Sequence, residues 1–234
     1  MTERIPLVLV PGLLCDAALW RHQAKHLADI ADISVGETTL DETMPAMARR
    51  VLEHAPPSFA LAGLSMGGYI CLEIMRQAPG RVRRLALLDT AAIADDAARR
   101  KQRQDLITLA ETGKFKGVTP RLLPLLIHPE RLADDPLTGA VVAMAGRVGK
   151  AAFLRQQRAI LSRIDSRQGL RAIDAPTLVL CGRQDALTPV ARHAEMASAI
   201  HGARLGVIED CGHLSTMERP EATTALMRDW LLRN

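Results

Sequence analysis

Leu61-Ala62-Gly63-Leu64-Ser65-Met66-Gly67-Gly68 is the stretch that decides how the chain is read. An apolar run with strand character, Ser58-Phe59-Ala60-Leu61-Ala62, leads into Gly-x-Ser-x-Gly, and the helix-forming run Tyr69-Ile70-Cys71-Leu72-Glu73-Ile74-Met75 follows. Strand, one-residue bend and helix in that order put Ser65 at the apex, with its hydroxyl pushed out of the sheet and its φ expected to be positive. Gly63 and Gly67 flank it because a Cβ at either place would collide with the neighbouring strand or helix. The helix start adds unpaired N–H groups and the positive end of the macrodipole beside the serine. A Gly-rich turn with an incidental serine gives the same letters, so the rest of the chain has to carry the reading.

Upstream, Ile5 to Val10 is a continuous apolar run, the mark of a strand buried on both faces, and it ends at Pro11-Gly12. Trp20, Ala24, Leu27 and Ala28 recur at helical spacing, Ile33-Ser34-Val35 is a short strand, and Met44, Met47, Ala48, Val51, Leu52 and Ala55 line one face of the next helix. Downstream, Pro79-Gly80 stops the helix behind the bend, and Val82 to Leu88 is another strand, ending at Asp89-Thr90. Strands separated by single helices predict an α/β fold: a parallel sheet covered on both faces, with right-handed crossovers.

The alternation breaks from about Ala92 to Leu170, where the spacing predicts helices and no strand. One stripe is Leu137, Val141, Met144, Ala145 and Val148; another is Phe153, Ile160, Leu161 and Ile164. A helical insertion between two sheet strands packs on one end of the sheet, where an open α/β sheet has its active site, so the insertion is a candidate lid; a peripheral helical subdomain is the alternative. The sheet resumes at Ala175 to Gly182. Thr188-Pro189 reads as an N-cap and first helical position for a helix to Ile200, and Arg204 to Ile208 is the last strand. A final helix from near Pro220 carries Leu226, Met227 and Trp230 inward. The expected division is a core of residues 1–91 and 171–234 with a helical cap at 92–170, in a chain of 234 residues long enough for one substantial domain.

Composition narrows the function. Hydrophobic residues at 48% and charged residues at 24% are ordinary for a globular protein, and with aromatics at 3% the core must be aliphatic. A net charge of +4 with only the short runs Arg81-Val82-Arg83-Arg84 and Arg99-Arg100-Lys101 describes solvated edges, not a nucleic-acid footprint. Cys15, Cys71, Cys181 and Cys211 lack C-x-x-C spacing and sit among apolar or Gly neighbours; they read as reduced core thiols, which suits a cytoplasmic compartment. The apolar run 5–10 is too short for a signal peptide or a membrane span. No metal-hydrolase spacing such as His-Glu-x-x-His occurs, and no metal or cofactor is expected.

A serine hydroxyl needs a base within hydrogen-bond reach to act as a nucleophile. Of the seven histidines, His22 and His26 read as an exposed i, i+4 pair, His54, His193 and His201 as surface residues near helix ends, and His128 as a residue of the insertion within reach of a pocket. His213, in Glu209-Asp210-Cys211-Gly212-His213-Leu214, follows the last strand and so emerges at the same carboxyl edge of the sheet as Ser65. A third member should be a carboxylate that holds the imidazole tautomer. Asp185 follows the penultimate strand at that edge and is preferred; Asp89, after the strand behind the bend, is the rival.

The order Ser65, Asp185, His213, each after its own strand, resembles the α/β-hydrolase superfamily over nearly the whole chain. Val10-Pro11-Gly12-Leu13, Gly63 to Gly68, Pro176-Thr177-Leu178-Val179 with the Asp185 loop, and Gly212-His213 carry the resemblance; the capped small-molecule branch of carboxylesterases and enol-lactonases is nearest. The resemblance implies Ser65 as nucleophile, His213 as base, Asp185 as acid, and an oxyanion hole from the backbone N–H groups of Leu13 and Met66. The chain departs from many relatives in having Pro11-Gly12 where they have His-Gly. It also starts at the strand that usually comes third, so about six strands, all parallel, are expected without the leading antiparallel hairpin.

The expected activity is hydrolysis of carboxylic esters, lactones or thioesters of small molecules through an acyl-enzyme on Ser65. The same three residues serve C–C bond hydrolases and cofactor-free perhydrolases, and a non-catalytic small-ligand receptor can keep them. The expected partner is a small-molecule ester or lactone, with no nucleic acid and no membrane span; the oligomeric state, monomer or dimer, stays open.

Overall fold

The computed structural model describes residues 4–233, and its strands form one parallel six-stranded sheet. In chain order the elements are β1 (Ile5–Val10), α1 (Arg21–His26), β2 (Ala31–Val35), α2 (Met44–His54), β3 (Phe59–Leu64), α3 (Met66–Gln77) and β4 (Val82–Leu88). Then come α4 (Ala97–Leu109), α5 (Leu123–Leu126), α6 (Asp135–Leu161), β5 (Thr177–Gly182), α7 (Val190–Ala199), β6 (Arg204–Ile208), α8 (Ser215–Glu218) and α9 (Pro220–Leu232). The spatial order is β2-β1-β3-β4-β5-β6. The chain steps outward from β1 to β2 and returns to the other side of β1 for β3, so the loops after β1 and β3 diverge at a switch point. Val10 pairs with Gly63, which sets the Pro11-Gly12 turn beside the Ser65 bend.

Side chains alternate across the sheet, and the two faces build separate cores. Leu7, Leu9, Ala60 and Ala62 pack with Trp20, Leu27, Met227 and Trp230 on one side. Val8, Val10 and Leu61 pack with Met47, Val51, Ile70, Ile74 and Met196 on the other. Full burial of each large aliphatic side chain contributes about 1.5–3 kcal/mol, which is why β3 and the run Leu85–Leu88 of β4 are apolar at every position and not at every second one.

Between β4 and β5 the described residues form helices and no strand. α6 is broken at Gly149 (φ 76°, ψ 177°), a conformation open to glycine, so its two stripes face the core separately. Leu137, Val141, Met144, Ala145, Phe153 and Ile160 are buried. By length and composition α6 would pass as a membrane span; here its buried face packs against α4 and α2.

Three local expectations are corrected. The second stripe stops at Ile160: α6 ends one residue later, Arg163 turns inward and Ile164 is 58% exposed. α1 ends at His26, leaving Ala28 outside the helix and exposed. α7 starts at Val190 with extended Pro189 as its cap residue, because the Thr188 hydroxyl is engaged by Asp185 instead.

Candidate active site

Ser65 sits between β3 and α3 with φ 56° and ψ −118°, the strained bend expected of it. The flanking glycines are sterically required. A Cβ on Gly63 would lie 2.3 Å from the Gly67 carbonyl oxygen, and one on Gly67 would lie 2.0 Å from that of Val10. The bend is held from the β4 side, where the Ser65 N–H donates to Leu88 (3.0 Å) and the Thr90 hydroxyl donates to the Ser65 carbonyl (2.8 Å).

The Ser65 hydroxyl lies 2.9 Å from His213 Nε2, and His213 Nδ1 lies 2.9 Å from both carboxylate oxygens of Asp185. The three side chains leave three different strands, β3, β5 and β6, at the same edge. With Asp185 on Nδ1, that nitrogen carries the ring proton and Nε2 faces the hydroxyl as an acceptor. The pair is buried, at 4% exposure for Asp185 and 2% for His213. Asp185 is fixed in turn by the Leu187 and Thr188 amides (2.9 and 2.8 Å) and the Thr188 hydroxyl (2.6 Å).

The electrostatics follow from that geometry. Burial disfavours the His213 imidazolium, but the Asp185 carboxylate facing it outweighs burial, so its pKa stands above the ordinary 6.5. Burial also works against the Asp185 anion, and the imidazole with the Thr188 hydrogen bonds outweighs it, holding Asp185 below the ordinary carboxylate range. Such an arrangement can take a proton from a serine hydroxyl and stabilise the resulting imidazolium.

Asp89 is not on the imidazole. It is fully buried with φ 45°, and its carboxylate accepts the Gly182 N–H (3.0 Å) and the Ser215 hydroxyl. It therefore ties the start of the Asp185 loop to the residue two beyond His213. Burial, then the charge of Asp185, pushes its pKa well above the usual carboxylate value.

Leu13 lies in the turn Gly12–Cys15, closed by the Cys15 N–H donating to Gly12 (3.1 Å). A Cβ on Gly12 would stand 3.3 Å from that of Ser65, so the turn abuts the serine. Met66 is the first residue of α3, and its amide has no intrahelical acceptor. The next residue of the turn, Leu14, has φ 58°, and its N–H donates to Gln156 of α6 (3.0 Å).

Four groups here escaped the reading of the sequence. His193, expected at the surface, is 0% exposed: its Nε2 accepts the Thr90 N–H (2.9 Å), and burial pulls its pKa down to about 4, so it stays neutral. Thr188 was read as a helix cap, although its position three residues after Asp185 is the spacing of a local side-chain turn. Gln156 and Glu218 carry no local signal at all. Cys15, Cys71, Cys181 and Cys211 are buried free thiols, and no cluster of three or more metal-ligating side chains occurs among the described residues.

A family model described as alpha/beta hydrolase fold matches residues 40–220. The pimeloyl-(acyl-carrier protein) methyl ester esterase of Neisseria meningitidis serogroup C is 28% identical over 177 residues, covering 73% of this chain and 68% of that protein. A thermophilic esterase from Thermogutta terrifontis superposes with a TM-score of 0.87 at 28% identity, covering 97% of this chain and 89% of that one. The enol-lactonase of Burkholderia xenovorans LB400 shares the fold, with a TM-score of 0.87 at 23% identity, covering 99% and 92%.

Proposed function

The chain belongs to the α/β-hydrolase family, and on that premise we propose that it is a serine hydrolase of carboxylic esters, with lactones and thioesters as related substrates. The observation that carries the reading is the line Ser65 Oγ, His213 Nε2, His213 Nδ1, Asp185, with 2.9 Å at both hydrogen bonds and a strained serine at its head. The esterase names of the two relatives at 28% identity support it.

In this reading His213 Nε2 takes the hydroxyl proton as Ser65 Oγ attacks the carbonyl carbon. The tetrahedral oxyanion is met by the Leu13 and Met66 amides, each such donor being worth roughly 10²–10³ in rate. Collapse breaks the ester bond, and the alcohol leaves with the proton held by His213. Water then attacks the acyl-enzyme through the same base, releasing the acid and restoring Ser65. Residues 92–170 act as a cap: Leu126 accepts the His213 N–H (3.1 Å) and Gln156 holds Leu14, so the stretch reaches both sides of the serine. Its Leu and Met residues fit an apolar acyl or alcohol part of moderate size.

Ser65→Ala should lower p-nitrophenyl ester turnover to background while circular dichroism stays unchanged, because one half-buried hydroxyl at a bend carries little packing. A fluorophosphonate should label Ser65 and not Ser162, Ser166 or Ser215. An adduct mapped elsewhere, or ester turnover surviving above a few per cent in Ser65→Ala, would sink the assignment. Perhydrolysis of acetate exceeding ester cleavage would move the chemistry to the cofactor-free perhydrolases.

A further inference from the structure

Glu218, at the end of α8, is 1% exposed. The Arg131 guanidinium reaches its backbone carbonyl, not its carboxylate. The carboxylate instead takes three backbone amides. Oε1 accepts from Gly212 (3.0 Å) and Leu214 (3.2 Å), and Oε2 accepts from His128 (2.7 Å). Gly212 and Leu214 are the two neighbours of His213 in the chain. His128 belongs to the helical stretch between β4 and β5, which also accepts the His213 N–H at Leu126 (3.1 Å). The contact is tight: a Cβ on Gly212 would lie 2.7 Å from the His128 nitrogen and the Ile127 carbonyl carbon. A carboxylate suits this place because both of its oxygens accept; a glutamine would turn an N–H₂ toward one of the three donors.

We propose that Glu218 is a positioning residue for His213, fixing the loop that carries the imidazole to the 126–128 segment and keeping a buried negative charge near the ring that favours the imidazolium formed during reaction. The proposal rests on the reading of Ser65 and His213 as nucleophile and base. Charges around the ring agree with it. His213 is faced by Asp185 from the β5 loop, Asp89 from the end of β4 and Glu218 from α8, all of which raise its pKa, while His193 of α7 stays neutral. His128 turns its Nδ1 to the Glu130 amide (3.2 Å), and Arg219 lies beside Asp210 at the surface.

The test is the pH dependence of fluorophosphonate labelling at Ser65, and of kcat and KM for one p-nitrophenyl ester, on the full chain. Wild type, Glu218→Gln and the exposed control Glu221→Gln are compared. Folded Glu218→Gln should show its acid limb at lower pH by roughly half a unit or more, because a charge that favoured the protonated base is gone. Its kcat should fall by about tenfold with KM nearly unchanged, the sign of a misplaced base and not of lost binding. Glu221→Gln should keep the wild-type limb. A folded Glu218→Gln with an unmoved limb overturns the proposal, whether or not kcat falls.

If Glu218→Gln does not fold, Glu218→Asp decides, because it keeps the charge and draws the carboxylate back from the three amides by one methylene. A kcat several-fold lower in Glu218→Asp, with the acid limb near its wild-type pH, supports the tie to the 126–128 segment, and a wild-type kcat overturns it. A wild-type protein that takes no label at Ser65 fails the parent reading instead, and the two failures are thereby distinguished.

Discussion

At the scale of single residues, two buried carboxylates lie near one imidazole, and their hydrogen bonds give them different work. Asp185 meets His213 Nδ1 at 2.9 Å, whereas Asp89 spends its oxygens on Gly182 and Ser215. Asp185→Asn would present an amide to Nδ1 and favour the wrong tautomer, and should lower kcat by about 10⁴. Asp89→Asn can still accept from Gly182 and donate to the Ser215 hydroxyl, so its loss should stay within about tenfold. Rates of both variants on one ester, with circular dichroism to confirm folding, check this; a larger loss in Asp89→Asn would move the acid to β4. The sign of the pH dependence follows from the same carboxylates. A base in the proposed role works when neutral, and the His213 pKa is raised above 6.5, so kcat/KM should climb with pH through a value higher than 6.5 and fall away below it. An acid limb at or below 6.5 in the pH profile of kcat/KM would contradict the electrostatics described for His213.

At the scale of elements, the strand ends do the organising. Among the described residues, the non-glycine positions with positive φ are Leu14, Ser65, Asp89 and Asp210, which follow β1, β3, β4 and β6, so backbone strain of order 1–3 kcal/mol each gathers at one edge of the sheet. That edge was legible from the chain. Gly63-x-Ser65-x-Gly67, the strand before it, and Asp185 and His213 after later strands are local signals, each needing only its neighbours to be read. What holds the edge in place was not legible, because the partners are remote. Leu14 and Gln156 are 142 positions apart, and nothing in the run around Gln156 announces that its side-chain oxygen accepts from a strained turn. His193 was misplaced for the same reason, since its burial depends on Thr90 at the end of another strand. The bond from Gln156 makes α6 a brace for the turn that carries Leu13, helped by its other end, which donates to the Thr38 carbonyl (3.1 Å). Gln156→Leu fills the same space without accepting, leaving the Leu14 N–H buried and free to turn. We expect kcat to fall by about 10–10² with little change in KM, and affinity for a tetrahedral boronic acid to fall in parallel. If boronate affinity is retained while kcat drops, the turn is not what Gln156 supports.

At the scale of the whole molecule, charge is divided as unevenly as strain. Residues 92–170 contain 14 Lys and Arg against 8 Asp and Glu, a net of +6, while the remainder contains 16 against 18, a net of −2. The excess of +4 in the full chain therefore belongs to the helical stretch that reaches His213 and Leu14, and the sheet core beneath it is close to balanced. Several of its arginines are engaged locally: Arg103 and Arg163 with Asp95, Arg147 with Asp16, Arg158 with Glu42 and Glu111. Pairing of this kind removes short-range attraction but leaves the summed field, and a positive face above a cleft raises the encounter rate of anionic substrates. The consequence is testable with two esters of matched size, one carrying a carboxylate remote from the scissile bond and one neutral. kcat/KM for the anionic ester should fall as salt rises from about 0.01 to 0.5 M, over which the Debye length shrinks from about 30 Å to a few ångströms, while the neutral ester stays nearly flat. Charge reversal at exposed positions of the stretch, Arg99→Glu with Lys101→Glu, should flatten the salt response of the anionic ester without changing kcat for the neutral one. Equal salt responses for the two esters in the wild-type protein would show that the uneven charge has no part in substrate capture.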